Sequence, residues 1–299
     1  MKNIVLLFFV CSVQIFFGQH GTESTSPTLV TDQTMVSKLM NTDIPFYVSL
    51  PMGYDKDARR SFPVIYWLHG SNGWPPGVLP MLAKRFQRAI KEGKIPPTII
   101  VFLDDNQGDS MWVDSKDGSV PMERVVIQEI IPHIDQSFRT IKDAQGRILE
   151  GGSMGGYGAA RFGFKYPDMF GAISMLNPGP KQEILIPSEA PLAGKAKAQK
   201  TLDNVYGGDI DYFRALSPWN LAIEHADKIR GKLAIRMILG GSDRSLANNK
   251  RFSDHLENLG IAHSTTILED AGHSPKEMFT ALRDHYWLFF KKNLPNDND

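Results

Sequence analysis

Short, uninterrupted apolar runs alternate along this chain with longer stretches in which apolar residues recur at helical spacing. The run 46–50 (FYVSL) predicts a strand, stopped by Pro51 and the turn Gly53-Tyr54-Asp55. The run 63–68 (PVIYWL) is apolar throughout and ends at His69-Gly70, as suits a parallel strand buried on both faces. Helical spacing follows over 79–92, then a second buried strand over 98–103 that ends in Asp104-Asp105-Asn106. The pattern over 122–137 is helical, with Pro132 expected to perturb its last turns. A short strand over 147–150 leads into Gly151-Gly152-Ser153, a helix follows over 154–166 and a strand over 172–176.

Residues 177–216 break this rhythm, with prolines, glycines and weak periodicity, and predict an insertion over the sheet edge. Ser217-Pro218 has the form of a helix start, a serine cap followed by proline at the first helical position. Strands over 233–239 and 264–268 and helices over 246–259 and 276–292 complete the pattern. Strands alternating with helices imply an α/β fold whose mostly parallel central sheet has helices on both faces. No internal repeat occurs and no linker separates two cores, so the reading is one domain over 42–295, preceded by a polar, Ser/Thr-rich extension over 19–41.

The first 18 residues follow another rule. Lys2 precedes an apolar stretch over 4–17, shorter than the roughly 20 residues that cross a bilayer. A basic start, an apolar middle and a small residue near the end predict a secretory signal peptide cut after Gly18, hence a secreted or periplasmic protein with no stable membrane association after cleavage. Cys11, the sole cysteine, leaves with it, so the exported chain has no disulfide and no thiol nucleophile.

Composition narrows the function classes. The 299 residues carry 33 Lys+Arg against 33 Asp+Glu, with no run of basic residues, which argues against a phosphate-neutralising nucleic-acid binder. With 42% hydrophobic residues the chain is too apolar to be disordered. Metal spacings such as H-E-x-x-H are absent, so no metal and no cofactor is expected.

The chemistry centres on Gly151-Gly152-Ser153-Met154-Gly155, a G-x-S-x-G between a predicted strand and a predicted helix. A sharp turn there exposes the serine hydroxyl, and flanking glycines let neighbouring backbones pass closely. A serine hydroxyl needs a base, and the base an orienting acid, in the chain order Ser, Asp or Glu, His. His273, in the loop between the last strand and the last helix, is the candidate base, and Asp243, after the strand 233–239, the candidate acid. The backbone N–H of Met154 and that of Ser71, in His69-Gly70-Ser71-Asn72-Gly73, are the candidate oxyanion donors. Trp74, Trp112 and Trp219 stand at expected cleft positions.

The segments "FPVIYWLHGSNG", "IIVFLDDN", "WVDSKDG", "GRILEGGSMGGYGAARFGFKYPDMFGAISMLNP" and "MILGGSD…AGH" resemble the esterase D-like family of α/β-hydrolases over roughly residues 42–292. That family includes feruloyl and acetyl xylan esterases, S-formylglutathione hydrolases, siderophore-ester hydrolases and mycolyltransferases. The resemblance implies an α/β-hydrolase fold, the triad Ser153, Asp243 and His273, and a substrate cleft beside Trp112 and Asp114. The segment Asn177-Pro178-Gly179-Pro180 departs from the family's Ser-Gly turn, and Ser274-Pro275-Lys276 stands where many secreted feruloyl esterases carry a tryptophan. The expected function is a secreted serine carboxylesterase acting on a small-molecule or polysaccharide-linked ester, with feruloyl or acetyl groups on plant polysaccharide as the substrate class. The alternatives are acyl transfer to a sugar acceptor, a siderophore-ester hydrolase, and an inactive binding protein that keeps the fold.

Overall fold

A computed structural model describes residues 29–179, 182–190 and 194–295; the expected signal peptide, with Cys11, lies outside the described residues. Eight strands form one sheet: β1 (Thr31–Ser37), β2 (Thr42–Ser49), β3 (Val64–Leu68), β4 (Ile99–Leu103), β5 (Arg147–Gly152), β6 (Ala172–Leu176), β7 (Ala234–Gly240) and β8 (Ser264–Leu268). Their spatial order is β1-β2-β4-β3-β5-β6-β7-β8. From β4 to β8 every pairing is parallel, whereas β1 and β2 pair antiparallel. All five residues of β3, β4 and β6 are buried, because helices cover both faces of the sheet and no side of these strands meets water.

The helices, in chain order, are α1 (Val78–Lys91), α2 (Met122–Arg124), α3 (Ile131–Ser137), α4 (Met154–Lys165), α5 (Gly194–Tyr206), α6 (Ile210–Leu216), α7 (Pro218–Glu224), α8 (Ala226–Ile229), α9 (Leu246–Asn258), α10 (Pro275–Leu282) and α11 (His285–Asn293). Two apolar cores result. On one face Leu82 and Phe86 of α1 pack with Phe279 of α10, with Trp287 and Phe290 of α11, and with Ile65, Ile100 and Ile148 of the sheet. On the other, Tyr157, Phe162 and Phe164 of α4 pack with Trp112, Phe252 and the opposite side chains of the same strands.

Four features differ from the sequence expectation. Residues 31–37, read as part of the polar extension, form the edge strand β1, whose inward side chains Met35 and Ser37 are buried. The stretch 122–137 is helical, but its middle, Val125–Ile130, winds as a π-helix, just before Pro132, which has no N–H for the helical ladder. The closing helix divides into α10 and α11 at Arg283, which takes a positive φ of 46°. The stretch 177–216 does not lie over a sheet edge. It carries α5 and α6 and reaches across α4, where Tyr206 Oη meets Tyr157 Oη at 3.1 Å and the Leu216 carbonyl accepts from Arg161 Nε at 2.7 Å. It then reaches the loop after β4, where Lys116 N–H donates to the Val205 carbonyl at 2.9 Å.

Candidate active site

Ser153 stands at the turn from β5 to α4 with φ 55° and ψ −120°, a conformation an L-residue occupies only at a cost of order 1–3 kcal/mol. Two glycines make the turn possible. A Cβ on Gly155 would lie 2.0 Å from the Leu68 carbonyl oxygen, and one on Gly151 would lie 2.4 Å from the Gly155 carbonyl carbon. Only bare backbone fits at these two crossings, which explains the glycines on either side of the serine.

The turn delivers Ser153 Oγ to 2.9 Å from His273 Nε2. His273 Nδ1 in turn lies 2.6 Å from Asp243 Oδ2. Asp243 is 6% exposed, and its other oxygen accepts the Ser245 N–H at 2.8 Å and the Ser245 hydroxyl at 2.9 Å. Burial acts to raise the pKa of this carboxyl, but the hydrogen bonds from His273 and Ser245 outweigh it and hold the group below its usual range. An ionised Asp243 can only accept, so it fixes the proton of His273 on Nδ1 and leaves Nε2 to accept from Ser153.

Asn177, at the end of β6, ties the two loops that carry Asp243 and His273. Its Oδ1 accepts the Gly240 N–H at 2.7 Å, three residues before Asp243. Its Nδ2 donates to the Gly272 carbonyl at 2.7 Å, one residue before His273, and also contacts Met278 Sδ at 2.9 Å. Asn177 is 2% exposed and takes φ 41°, a left-handed conformation that asparagine tolerates better than most residues. The sequence marked this position only as a departure from a family turn.

A cavity of about 300 Å³ opens at Ser153 and His273. Its walls are mostly apolar, from Trp67, Trp74, Leu176, Met278 and Phe279, with Ser71 and Asn72 on the side of β3. Among the described residues no hydrogen bond occupies the backbone N–H of Ser71 or of Met154, so both stay available to a developing oxyanion. Gly70 lets this loop approach, since a Cβ there would sit 3.3 Å from that of Ser153.

The four expected cleft residues separate. Trp74 lines the cavity, its ring held by a 2.9 Å bond from Nε1 to the Leu103 carbonyl. Trp112 does not: it is fully buried and its Nε1 donates to the His69 carbonyl at 3.2 Å, so it braces the loop from behind. Asp114 is held by Arg124, at 2.6 Å from its Nε. Trp219 stacks on His255, ring centroids 3.8 Å apart, and borders a separate cavity of about 210 Å³ with Gln182 and Arg251. The signal that misled was aromaticity, which serves packing as readily as recognition.

His69, Asp104 and Asp105 bring ligand atoms within 4.8 Å of one another, the spacing a metal needs. The donors are already engaged. His69 Nε2 accepts the Asp105 N–H at 3.1 Å, and the Asp105 carboxylate accepts the N–H groups of Gln107, Gly108 and Ser110. Burial lowers the pKa of His69, but the Asp105 carboxylate, with Oδ1 3.3 Å from Nε2, and the Gly70 carbonyl, 2.7 Å from Nδ1, carry it above the ordinary value. The trio is a clamp that shapes the loop after β4.

An eight-stranded sheet, a strained serine between its fifth strand and the next helix, and an acid and a histidine after its last two strands define an α/β-hydrolase. The chain belongs to the family described as "Putative esterase", which matches residues 37–285. It is 33% identical over 145 residues to an "Endo-1,4-beta-xylanase/feruloyl esterase" of Xylanibacter ruminicola, a match that covers 44% of this chain and 19% of the relative. The chain spans about half the length, or less, of the curated relatives it matches. Among solved structures it superposes on a ferulic acid esterase with TM-score 0.73 and 22% identity, over 89% of this chain and 98% of the other. It also superposes on an S-formylglutathione hydrolase from Agrobacterium tumefaciens with TM-score 0.70 and 19% identity, over 89% and 95%. No helix among the described residues is long and apolar enough to cross a membrane.

Proposed function

We propose that this protein is a secreted serine carboxylesterase whose nucleophile, base and orienting acid are Ser153, His273 and Asp243. The observation that carries the reading is the unbroken relay from Ser153 Oγ through His273 to Asp243, at 2.9 Å and 2.6 Å, beside two unengaged backbone N–H groups. Ser153 Oγ attacks the ester carbonyl and passes its proton to His273 Nε2. The carbonyl oxygen takes up the electron pair as an oxyanion and receives hydrogen bonds from the N–H groups of Ser71 and Met154. When the carbonyl re-forms, the C–O bond to the alcohol breaks and His273 returns the proton to the leaving oxygen. Water, deprotonated by the same histidine, then releases the acid from the acyl-enzyme.

The apolar cavity suits an aromatic or short aliphatic acyl group, and a cavity of this size falls at the lower end of ligand pockets, roughly 300–1,000 Å³. The stretch shared with a xylanase/feruloyl esterase supports a feruloyl or acetyl group on plant polysaccharide as the substrate. The predicted signal peptide supports export. The test compares the chain from Gln19 onward with Ser153→Ala on p-nitrophenyl acetate, p-nitrophenyl butyrate, methyl ferulate and acetylated xylan. Ser153-dependent turnover is expected on the p-nitrophenyl esters and on at least one of the other two. Activity that survives in Ser153→Ala refutes the assignment.

A further inference from the structure

A row of side chains crosses the sheet at one register. Trp67 of β3 pairs with Glu150 of β5, Glu150 with Ser174 of β6, and Ser174 with Arg236 of β7. Two residues earlier on the same face stand Ile65, Ile148 and Ala172, part of the core beneath α1, α10 and α11. A polar row interrupts that core. Glu150 and Ser174 are fully buried and Arg236 is 5% exposed.

The polar members satisfy one another. Glu150 Oε1 accepts the Ser174 hydroxyl at 2.9 Å, and Oε2 accepts the Tyr286 hydroxyl of α11 at 2.5 Å. Arg236 donates to Ser174 Oγ from Nε at 3.0 Å and from Nη2 at 2.8 Å, and to the Tyr286 carbonyl from Nη1 at 2.7 Å. The indole N–H of Trp67 is the exception. It is buried, makes no hydrogen bond of ordinary geometry, and faces the Glu150 carboxyl and the Tyr286 hydroxyl. Burial raises the pKa of Glu150, and its donors and Arg236 offset that only in part, so the carboxyl still gains from a further N–H.

The row reaches the cavity at Ser153 from behind. Trp67 is one of the cavity walls, and a Cβ on Gly152, next to the nucleophile, would lie 3.7 Å from its Cη2. Tyr286 supports another wall, its ring edge-on to that of Phe279 with centroids 5.3 Å apart.

We infer that Glu150 is a positioning residue of the esterase: it holds the Trp67 indole back from the cavity and so sets the length of acyl group that fits beside Ser153. The inference rests on the esterase reading above and adds a residue outside both the cavity and the triad.

The experiment measures the ratio of kcat/KM on p-nitrophenyl butyrate to that on p-nitrophenyl acetate. In Glu150→Gln, Ser174 and Arg236 keep the remaining oxygen on their side and turn the amide donors toward Trp67. Two donors then face each other, and the indole moves toward the cavity. Apolar space for one methylene changes kcat/KM by about tenfold or more, so the ratio is expected to fall about tenfold, through KM for the butyrate rather than through kcat. Trp67→Phe removes the N–H on which Glu150 acts, and in that background Glu150→Gln should change the ratio by less than about twofold. Glu150→Met/Arg236→Met replaces the buried pair by apolar groups of similar volume, a change that folding commonly tolerates. It deprives the indole of the carboxyl, should lower the ratio about threefold or more, and decides the matter where Glu150→Gln does not fold. A ratio within about twofold of the wild type in the folded variants, or a fall that persists in full in the Trp67→Phe background, overturns the inference and leaves the esterase reading standing. A wild type that turns over neither ester refutes that reading, and the inference with it.

Discussion

Removing the Asn177 side chain tests whether the acid and base loops are held from outside or hold themselves. Both Asn177→Gly and Asn177→Ala delete the 2.7 Å bonds to the Gly240 N–H and the Gly272 carbonyl. Each neutral hydrogen bond contributes about 1 kcal/mol net, and a buried N–H left without an acceptor costs about 1–3 kcal/mol. The expected loss of folding stability in Asn177→Gly is therefore about 2–3 kcal/mol. Asn177→Ala should lose about 1 kcal/mol more, because φ 41° strains an alanine and not a glycine. Catalysis should fall further than stability implies. Misplacing a reacting group by about 1 Å can cost on the order of 100-fold, so kcat on p-nitrophenyl acetate should drop about 10- to 100-fold, with KM within about threefold. Urea denaturation gives the first quantity and steady-state kinetics the second. If Asn177→Gly loses stability but keeps kcat within about twofold, the loops hold their own geometry and the positioning argument fails. Stability unchanged within about 0.5 kcal/mol would refute the hydrogen-bond reasoning as well.

Other consequences can be checked directly. Ser153→Gly should be more stable than Ser153→Ala by about 1 kcal/mol in urea denaturation, since glycine relieves the φ 55° strain; equal stabilities would show an unstrained turn. Asp243→Asn keeps the packing but removes the acceptor that fixes the His273 tautomer, so kcat should fall about 10³- to 10⁴-fold while the unfolding midpoint changes little. Glu123→Gln weakens the buried contacts to Arg161, Lys165 and Tyr166. Burial raises the pKa of Glu123, but Arg161, Lys165 and Tyr166 bring it down from 4.5 to about 2, a linkage contribution of about 3 kcal/mol. Because the folded-state pKa is depressed, that contribution is present above pH 4.5 and fades as pH falls toward 2. The wild-type advantage over Glu123→Gln in chemical denaturation should follow that course, and a pH-independent difference would contradict it.

Much of this architecture is written in local pattern. Strands buried on both faces leave apolar runs such as PVIYWL, and a serine between glycines at a strand end leaves a short motif. Ser153, Asp243 and His273 were legible because chain order and loop position constrain them, and the structure brings all three together. Side-chain direction was not legible. Trp112 and Trp219 look alike in the sequence, yet one is sealed against the His69 loop and the other stacks on His255. The helices of the stretch 177–216 were obscured because α5 buries only a narrow stripe, Ala198, Leu202, Val205 and Tyr206, between polar residues that weaken the periodicity. Asn177 was hidden for another reason: its partners are backbone groups of Gly240 and Gly272, and no side-chain pattern records them.

The stretch 177–216, which reaches across α4, is an excursion between two parts of the sheet. It leaves the sheet after β6 and is back on α4 by Leu216, so it enters and departs without interrupting a strand. Its exposed latches, Lys197 to Asp109 and Lys116 to Asp209, are surface ion pairs of the kind that contributes about 0–1 kcal/mol. Substitutions on the exposed face of this stretch, as at Gln199 or Lys200, therefore disturb few tightly packed neighbours, whereas a Cβ on Gly155 would collide with the strand beside it. Within one lineage that exposed face can drift while the glycine crossings at the Ser153 turn stay constant, so that surface and framework evolve on separate clocks.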